Sequence, residues 1–245
     1  MWESVNWAIQ KVLTKVSPGS IAAIGITNQR ETTVMWDART GRPAHNAIVW
    51  QCRRTAARCD KLKAAPDRQA FLRKRTGLPV DAYFSATKIE WMLKNVPGLM
   101  ARAKKGRIRF GTTDAWTLWN LTGGAAHATD YTNASRTMCF NIDARAWDDE
   151  ILRMFNIPHS VLPEVKKSSG FFGRTVRLGR LPAGIPITGI AGDQQAALFG
   201  QACFEPGTMK NTYGTGSFIL LNAGCKRPLS KHGLIVTLGC GVHGE

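Results

Sequence analysis

The segment I-T-G-I-A-G-D-Q-Q-A-A-L-F-G (Ile187–Gly200) decides how the rest of the chain is read. The apolar run Ile185–Ile190 predicts a buried strand, glycine ends it, and Asp193 opens a helix that continues through Ala196–Cys203. A carboxylate where a strand turns into a helix can take a proton from a hydroxyl or help hold a metal; taken alone it reads as an N-cap.

Working outward, a second strand-to-turn unit lies near the N-terminus. Ile21–Thr27 reads as a buried strand that delivers Asn28, Gln29, Arg30 and Glu31 to its end. An adjacent guanidinium and carboxylate can grip a polyol, one donating to hydroxyl oxygens and the other accepting their protons. Without other support the pair reads as a strand-end ion pair. A third glycine-bearing segment, N-T-Y-G-T-G-S (Asn211–Ser217), lies between the predicted strands Met209–Thr212 and Phe218–Asn222. Its successive N–H groups and Thr215 can cradle a phosphate, although short glycine motifs are most often tight turns. It matches neither the G-x-x-x-x-G-K-[ST] loop nor the dinucleotide fingerprint.

The intervening pattern mixes both element types. Strands are expected at Thr32–Trp36, Ala47–Trp50, Arg107–Gly111 and Leu234–Leu238, with a turn at Asp37–Pro43. Helices are expected near the N-terminus and over Cys52–Arg75, Ala86–Asn95, Ala101–Lys105, Thr113–Leu121 and Asp148–Phe155. Glycine and proline cluster from Gly170 to Gly189. The class is therefore α/β.

Composition narrows the function classes. The 245 residues carry 33 Lys+Arg against 17 Asp+Glu, a formal net charge of +16. The basic residues are dispersed, so the excess predicts solvated helix faces or an anionic substrate rather than a nucleic-acid partner. The six cysteines form no C-x-x-C pair, which disfavours zinc and predicts free thiols in a reducing, cytoplasmic setting. No apolar run is long enough to span a membrane.

The stretch Y-F-S-A-T-K-I-E-W-M-L-K-N (Tyr83–Asn95) resembles a signature of the sugar and polyol kinases of the FGGY family, whose fold is actin-like, or ribonuclease-H-like. I-G-I-T-N-Q-R-E-T-T (Ile24–Thr33), I-V-W-Q-C-R-R-T (Ile48–Thr55), D-Y-T-N-A-S-R-T-M (Asp130–Met138), Gly189–Gly200 and K-N-T-Y-G-T-G (Lys210–Gly216) are similar to its glycerol kinase branch. The resemblance implies phosphoryl transfer from ATP, with Mg²⁺, to the 3-hydroxyl of glycerol. It makes Arg30, Glu31, Tyr83 and Gln194 hydroxyl contacts and Asp193 the catalytic base and a metal ligand. It makes Trp50 and Phe218 apolar walls, and Gly214 with Thr215 a phosphate-binding turn. It implies a first kinase domain over 1–200, a second begun at 201–245, and homo-oligomers among full-length members. The family's opening D-x-G-T-T-S-x-R motif is absent. An internal fragment is therefore expected, with an incomplete first domain. Alone, such a fragment is expected to be unstable or aggregation-prone and inactive; the alternative reading is a truncated remnant without catalytic function.

Overall fold

The computed structural model describes residues 1–214, 216–228, 230 and 233–241. Its central sheet has the order β1-β9-β8, where β1 is Ile24–Asn28, β8 is Ser169–Arg174 and β9 is Pro186–Gly192. β1 and β9 are parallel, with Asn28 opposite Gly192, and β8 runs antiparallel to β9. Parallel strands require a long crossover; here it is most of the chain.

Two-stranded sheets surround this centre. β2 (Val34–Asp37) pairs with β3 (Ile108–Gly111), and β4 (Ala128–Asp130) with β7 (Glu164–Lys166). β5 (Phe140–Asn141) pairs with β6 (Ala146–Trp147), and β10 (Met209–Tyr213) forms a hairpin with β11 (Ser217–Leu221). The helices are α1 (Trp2–Val12), α2 (Ala56–Lys63), α3 (Pro66–Thr76), α4 (Ser85–Asn95), α5 (Leu99–Lys104), α6 (Thr113–Leu121), α7 (Tyr131–Ala134), α8 (Asp149–Met154) and α9 (Asp193–Gly200).

Local chemistry explains the breaks. The helical pattern expected over Cys52–Arg75 divides at Pro66, which starts α3 because it cannot continue α2. Gly77, at φ +75°, ends α3 in the left-handed cap. Asp148 and Asp130 cap α8 and α7, each accepting from two backbone amides. The Asp37 carboxylate collects the Arg39 and Thr40 amides at 2.9 Å and so closes the predicted turn.

Other expectations are corrected. Ala47–Trp50 is not a strand; Ile48 alone makes an isolated bridge to Thr33. The helix α9 starts at Asp193 as expected but stops at Gly200, short of Cys203. Leu234–Leu238 pairs with no strand among the described residues. It runs against the rest of the chain instead, with Val236 N–H donating to Gly77 O at 3.0 Å. Within the glycine-rich stretch from Gly170, β8 forms because neighbouring β9 supplies its hydrogen-bond partners.

Two apolar clusters carry most of the packing. The larger joins α2–α5 and α8 through Leu62, Leu72, Phe84, Ile89, Met92 and Phe155, all at most 1% exposed. The second lies under the central sheet, where Leu118, Phe172, Ile187 and Ile190 meet Leu13 from the segment after α1. Burying such side chains contributes roughly 1.5–3 kcal/mol each. On its side away from β9, β1 has no strand neighbour among the described residues, and every residue along it keeps some exposure.

Candidate functional site

Parallel pairing of β1 with β9 sends both strands out at the same sheet end, the place where open α/β sheets gather ligands. Arg30 and Glu31 follow one strand, and Asp193–Gln195 follow the other. Arg30 is 3% exposed, its Nη1 donating to Gln195 Oε1 at 3.0 Å. Its Nε lies 3.0 Å from Asp193 Oδ1, an ion contact not aligned as a hydrogen bond. Burial and the nearby Arg136 guanidinium lower the Arg30 pKa, while Glu31 and Asp193 oppose this.

Gly192 makes the arrangement possible. A Cβ there would lie 2.4 Å from Arg30 Cδ and 2.5 Å from Arg30 Cγ, so only glycine lets the arginine stem cross the strand end. The Gly192 N–H donates to Thr132 Oγ1 at 2.8 Å. Thr132 in turn donates to Asp130 Oδ2 at 2.6 Å, as does Ser168. A buried polar network thus supports the strand end from below. Asn28 joins it, donating to Asp114 and Asn133. Complete burial raises the Asp114 carboxyl to about 6, against the pull of hydroxyl donors Thr112 and Thr129.

Asp193 is the exposed member. Its side chain is 42% accessible, whereas Arg30 and Glu31 are at 3%. It does not cap α9 in the ordinary manner: Oδ1 accepts the very next amide, Gln194 N–H, at 2.8 Å. Oδ2 accepts from Gln194 Nε2 at 3.2 Å. A carboxylate held by hydrogen bonds yet open to solvent can receive a proton from an incoming hydroxyl.

Glu31 is buried between cations. Arg136 Nε donates to its Oε1 at 2.7 Å, and Arg30 Nη2 is 3.7 Å from the same oxygen. Lys88 Nζ holds the main-chain oxygens of Glu31 and Tyr83, both at 2.8 Å. Burial lowers the Lys88 ammonium to about 8, with Glu31 partly offsetting the loss. The Tyr83 hydroxyl lies by the Glu31 carboxylate; burial first, then that charge, pushes it to about 12. Trp50 meets the Tyr83 ring edge-to-face at 5.7 Å, and the two share a cavity of about 520 Å³ with Gln51, Asp81, Phe84 and Ile235 among its lining residues. Arg30 and Asp193 do not line that cavity.

The hairpin approaches from the other side. Lys210 is buried, and its Nζ donates to Gln194 Oε1, to Thr212 Oγ1 at 2.7 Å and to Phe218 O at 3.4 Å. Phe218 packs its ring over Gly216 within the hairpin, and its main-chain oxygen accepts from the Lys210 ammonium. The Gly214 N–H donates to Gly216 O at 3.1 Å. Thr215 lies outside the described residues.

The structure therefore brings Arg30, Glu31, Tyr83, Asp193 and Gln194 to one centre, with Trp50 on its rim. Arg136, Lys88, Gln195, Lys210 and Gly192 belong to the same centre and were not singled out by sequence. All lie within quoted motifs, but nothing in their spacing marks them as cations or hinges of this site.

Residues 1–200 match the model of the N-terminal domain of the FGGY family of carbohydrate kinases. The chain belongs to that family. As an FGGY chain it is 56% identical over its whole length to glycerol kinase 2 of Thermotoga maritima, covering 49% of that protein. It is 58% identical over 99% of its length to glycerol kinase of Symbiobacterium thermophilum, again covering 49%. The crystal structure of Plasmodium falciparum glycerol kinase with ADP superposes with TM-score 0.87 at 40% identity, over 96% of this chain and 47% of that one. Ligand-bound xylulose kinase from Lactobacillus acidophilus, at 19% identity and TM-score 0.78, shares the fold over 89% of this chain and 44% of its own. The FGGY chain spans about half the length of the curated relatives it matches. No helix among its described residues is long and apolar enough to cross a membrane.

Proposed function

We propose that this chain carries the polyol-binding half of a glycerol kinase, which transfers the γ-phosphoryl group of ATP to the 3-hydroxyl of glycerol in the cytoplasm. The observation that carries the reading is the convergence of Arg30, Glu31 and Asp193 at the shared end of β1 and β9, with Tyr83 alongside. Glycerol offers three hydroxyls on a short apolar spine. Arg30 donates to hydroxyl oxygens, Glu31 accepts their protons, Tyr83 and Gln194 complete the polar contacts, and Trp50 with Phe218 faces the carbons. Asp193, the accessible carboxylate, takes the proton of the attacking hydroxyl.

ATP supplies the phosphoryl group, and its phosphates would lie against the Gly214–Thr215 turn. Mg²⁺ commonly rests on one or two carboxylates, phosphate oxygens and water. Asp193 fits as a single carboxylate ligand; the described residues contain no cluster of three acidic, His or Cys side chains to hold a metal alone. We assign 1–200 to the first kinase domain and 201–245 to the start of the second, and expect the full enzyme to be a homo-oligomer.

The test is glycerol titration of the chain by ligand-observed NMR, followed by incubation with ATP and Mg²⁺ and assay for sn-glycerol 3-phosphate. Saturable glycerol binding that is lost in Arg30→Ala and retained in Asp193→Asn supports the site. Absence of glycerol binding refutes it. Binding without turnover favours the alternative of a non-catalytic remnant.

A further inference from the structure

We propose that Arg136 is a positioning residue of the polyol site, the joint that sets Glu31 and Tyr83 at a fixed distance from one another and so determines that a triol is preferred over a diol. The inference rests on the polyol reading of the site above.

Arg136 is 4% exposed and sits two residues beyond α7. Its backbone is fixed on both sides. Arg136 N–H donates to Asn133 O at 3.0 Å, and the Thr137 carbonyl accepts from Ala86 N–H at 2.8 Å, at the start of α4. α7 is itself held by the buried Asp130 cap. From this base the side chain contacts three residues from two different segments. Nε donates to Glu31 Oε1 at 2.7 Å, and the guanidinium stands 5.7 Å from the Tyr83 ring centre and 5.1 Å from that of Phe84.

Charge balance alone does not account for this. Glu31 already has Arg30 at 3.7 Å, and Glu31 is the only acid paired with Arg136 among the described residues. Burying a second guanidinium brings a desolvation cost that a buried pair often fails to recover as stability. What the second arginine adds is direction. Guanidinium N–H bonds are fixed in a planar fork, so Nε orients the carboxylate while the ring contacts fix the plane of the fork. The Glu31 carboxylate and the Tyr83 hydroxyl arrive from separate loops, and Arg136 touches both residues.

The experiment titrates the full 245-residue chain by ligand-observed NMR with glycerol and with 1,2-propanediol, which lacks one terminal hydroxyl. Variants are Arg136→Met, Arg136→Lys, Glu31→Gln and the Arg136→Met/Glu31→Gln pair, each checked for folding by circular dichroism. Arg136→Met should weaken glycerol by about tenfold or more, the scale of one hydrogen bond to a charged group, and propanediol by much less. Discrimination between the two ligands then collapses, an effect that general loosening of the core would not give. The double variant should bind glycerol about as Glu31→Gln does, because residues acting as one unit are non-additive. Arg136→Lys keeps the charge without the fork and should also lose discrimination; it decides the matter if the Met variant does not fold. Unchanged glycerol affinity in either folded variant, equal losses for both ligands, or additive losses with Glu31→Gln overturn the proposal. A wild-type chain that binds neither ligand removes the polyol reading and this inference together; wild-type binding with indifferent Arg136 variants removes this inference alone.

Discussion

Gly192→Ala should uncouple the two strand ends. The new Cβ would sit 2.4 Å from Arg30 Cδ, 2.5 Å from Cγ and 3.0 Å from Gln195 Oε1. Ordinary carbon contacts are about 3.5–4.0 Å, so the arginine stem must retreat by roughly 1 Å or more. That stretches the 3.0 Å bond from Nη1 to Gln195 beyond hydrogen-bonding range and carries Nε away from Asp193. A hydrogen bond to a charged group is worth about 1.5–3 kcal/mol, and overpacking adds about 1–3 kcal/mol. Glycerol affinity should fall about 10- to 100-fold, and stability by about 2–4 kcal/mol, since the two costs partly relieve one another. The assays are NMR titration and urea unfolding. Gly189→Ala is the control, because a Cβ there would meet only Ser168 O at an ordinary 3.8 Å. Glycerol binding by Gly192→Ala within about twofold of wild type, or equal damage from Gly189→Ala, would refute the argument that Gly192 holds Arg30 in place.

Other outcomes follow from the buried groups. His127 Nε2 donates to Phe110 O at 2.8 Å with Trp36 and Trp119 at its edges, and burial lowers its pKa to about 4. The unfolded chain therefore takes up the proton first: stability attached to neutral His127 is complete above pH about 6.5 and is lost as pH falls through about 4, at most about 3 kcal/mol. Asp114 has the opposite sign, since its raised pKa makes its contribution complete below pH about 3.8 and lost as pH rises through about 6. Asp114→Asn should therefore steepen the loss of stability between pH 6.5 and 4; urea midpoints that follow the wild-type pH profile would contradict this. Lys88→Met leaves the buried main-chain oxygens of Glu31 and Tyr83 without their shared donor and should cost about 2–4 kcal/mol, read by thermal unfolding.

Legibility from sequence followed the range of the forces involved. α6 was expected at the bounds it has, and β9 and α4 within two residues at each end, because apolar periodicity and glycine or proline stops are local. β8 was missed because its glycines argue against a strand until β9 lies beside it. Ala47–Trp50 has strand-like composition but finds one bridge partner. The same distinction holds at the site. Arg30, Glu31 and Asp193 were legible as strand-end polar residues, but their mutual distance depends on parallel pairing across more than 150 residues of chain. Arg136 and Lys210 were invisible as site cations because burial, not residue type, separates them from the many solvated arginines and lysines.

Lys210 has a mechanical meaning beyond its place in the site. An ammonium has three donors, and here one goes to helix α9 through Gln194, while the other two go to the strands of the hairpin. Nothing is left over for a ligand. The lysine therefore acts as a latch: the hairpin cannot swing outward on its own without releasing the Gln194 amide, and a rotated Gln194 unlatches the hairpin.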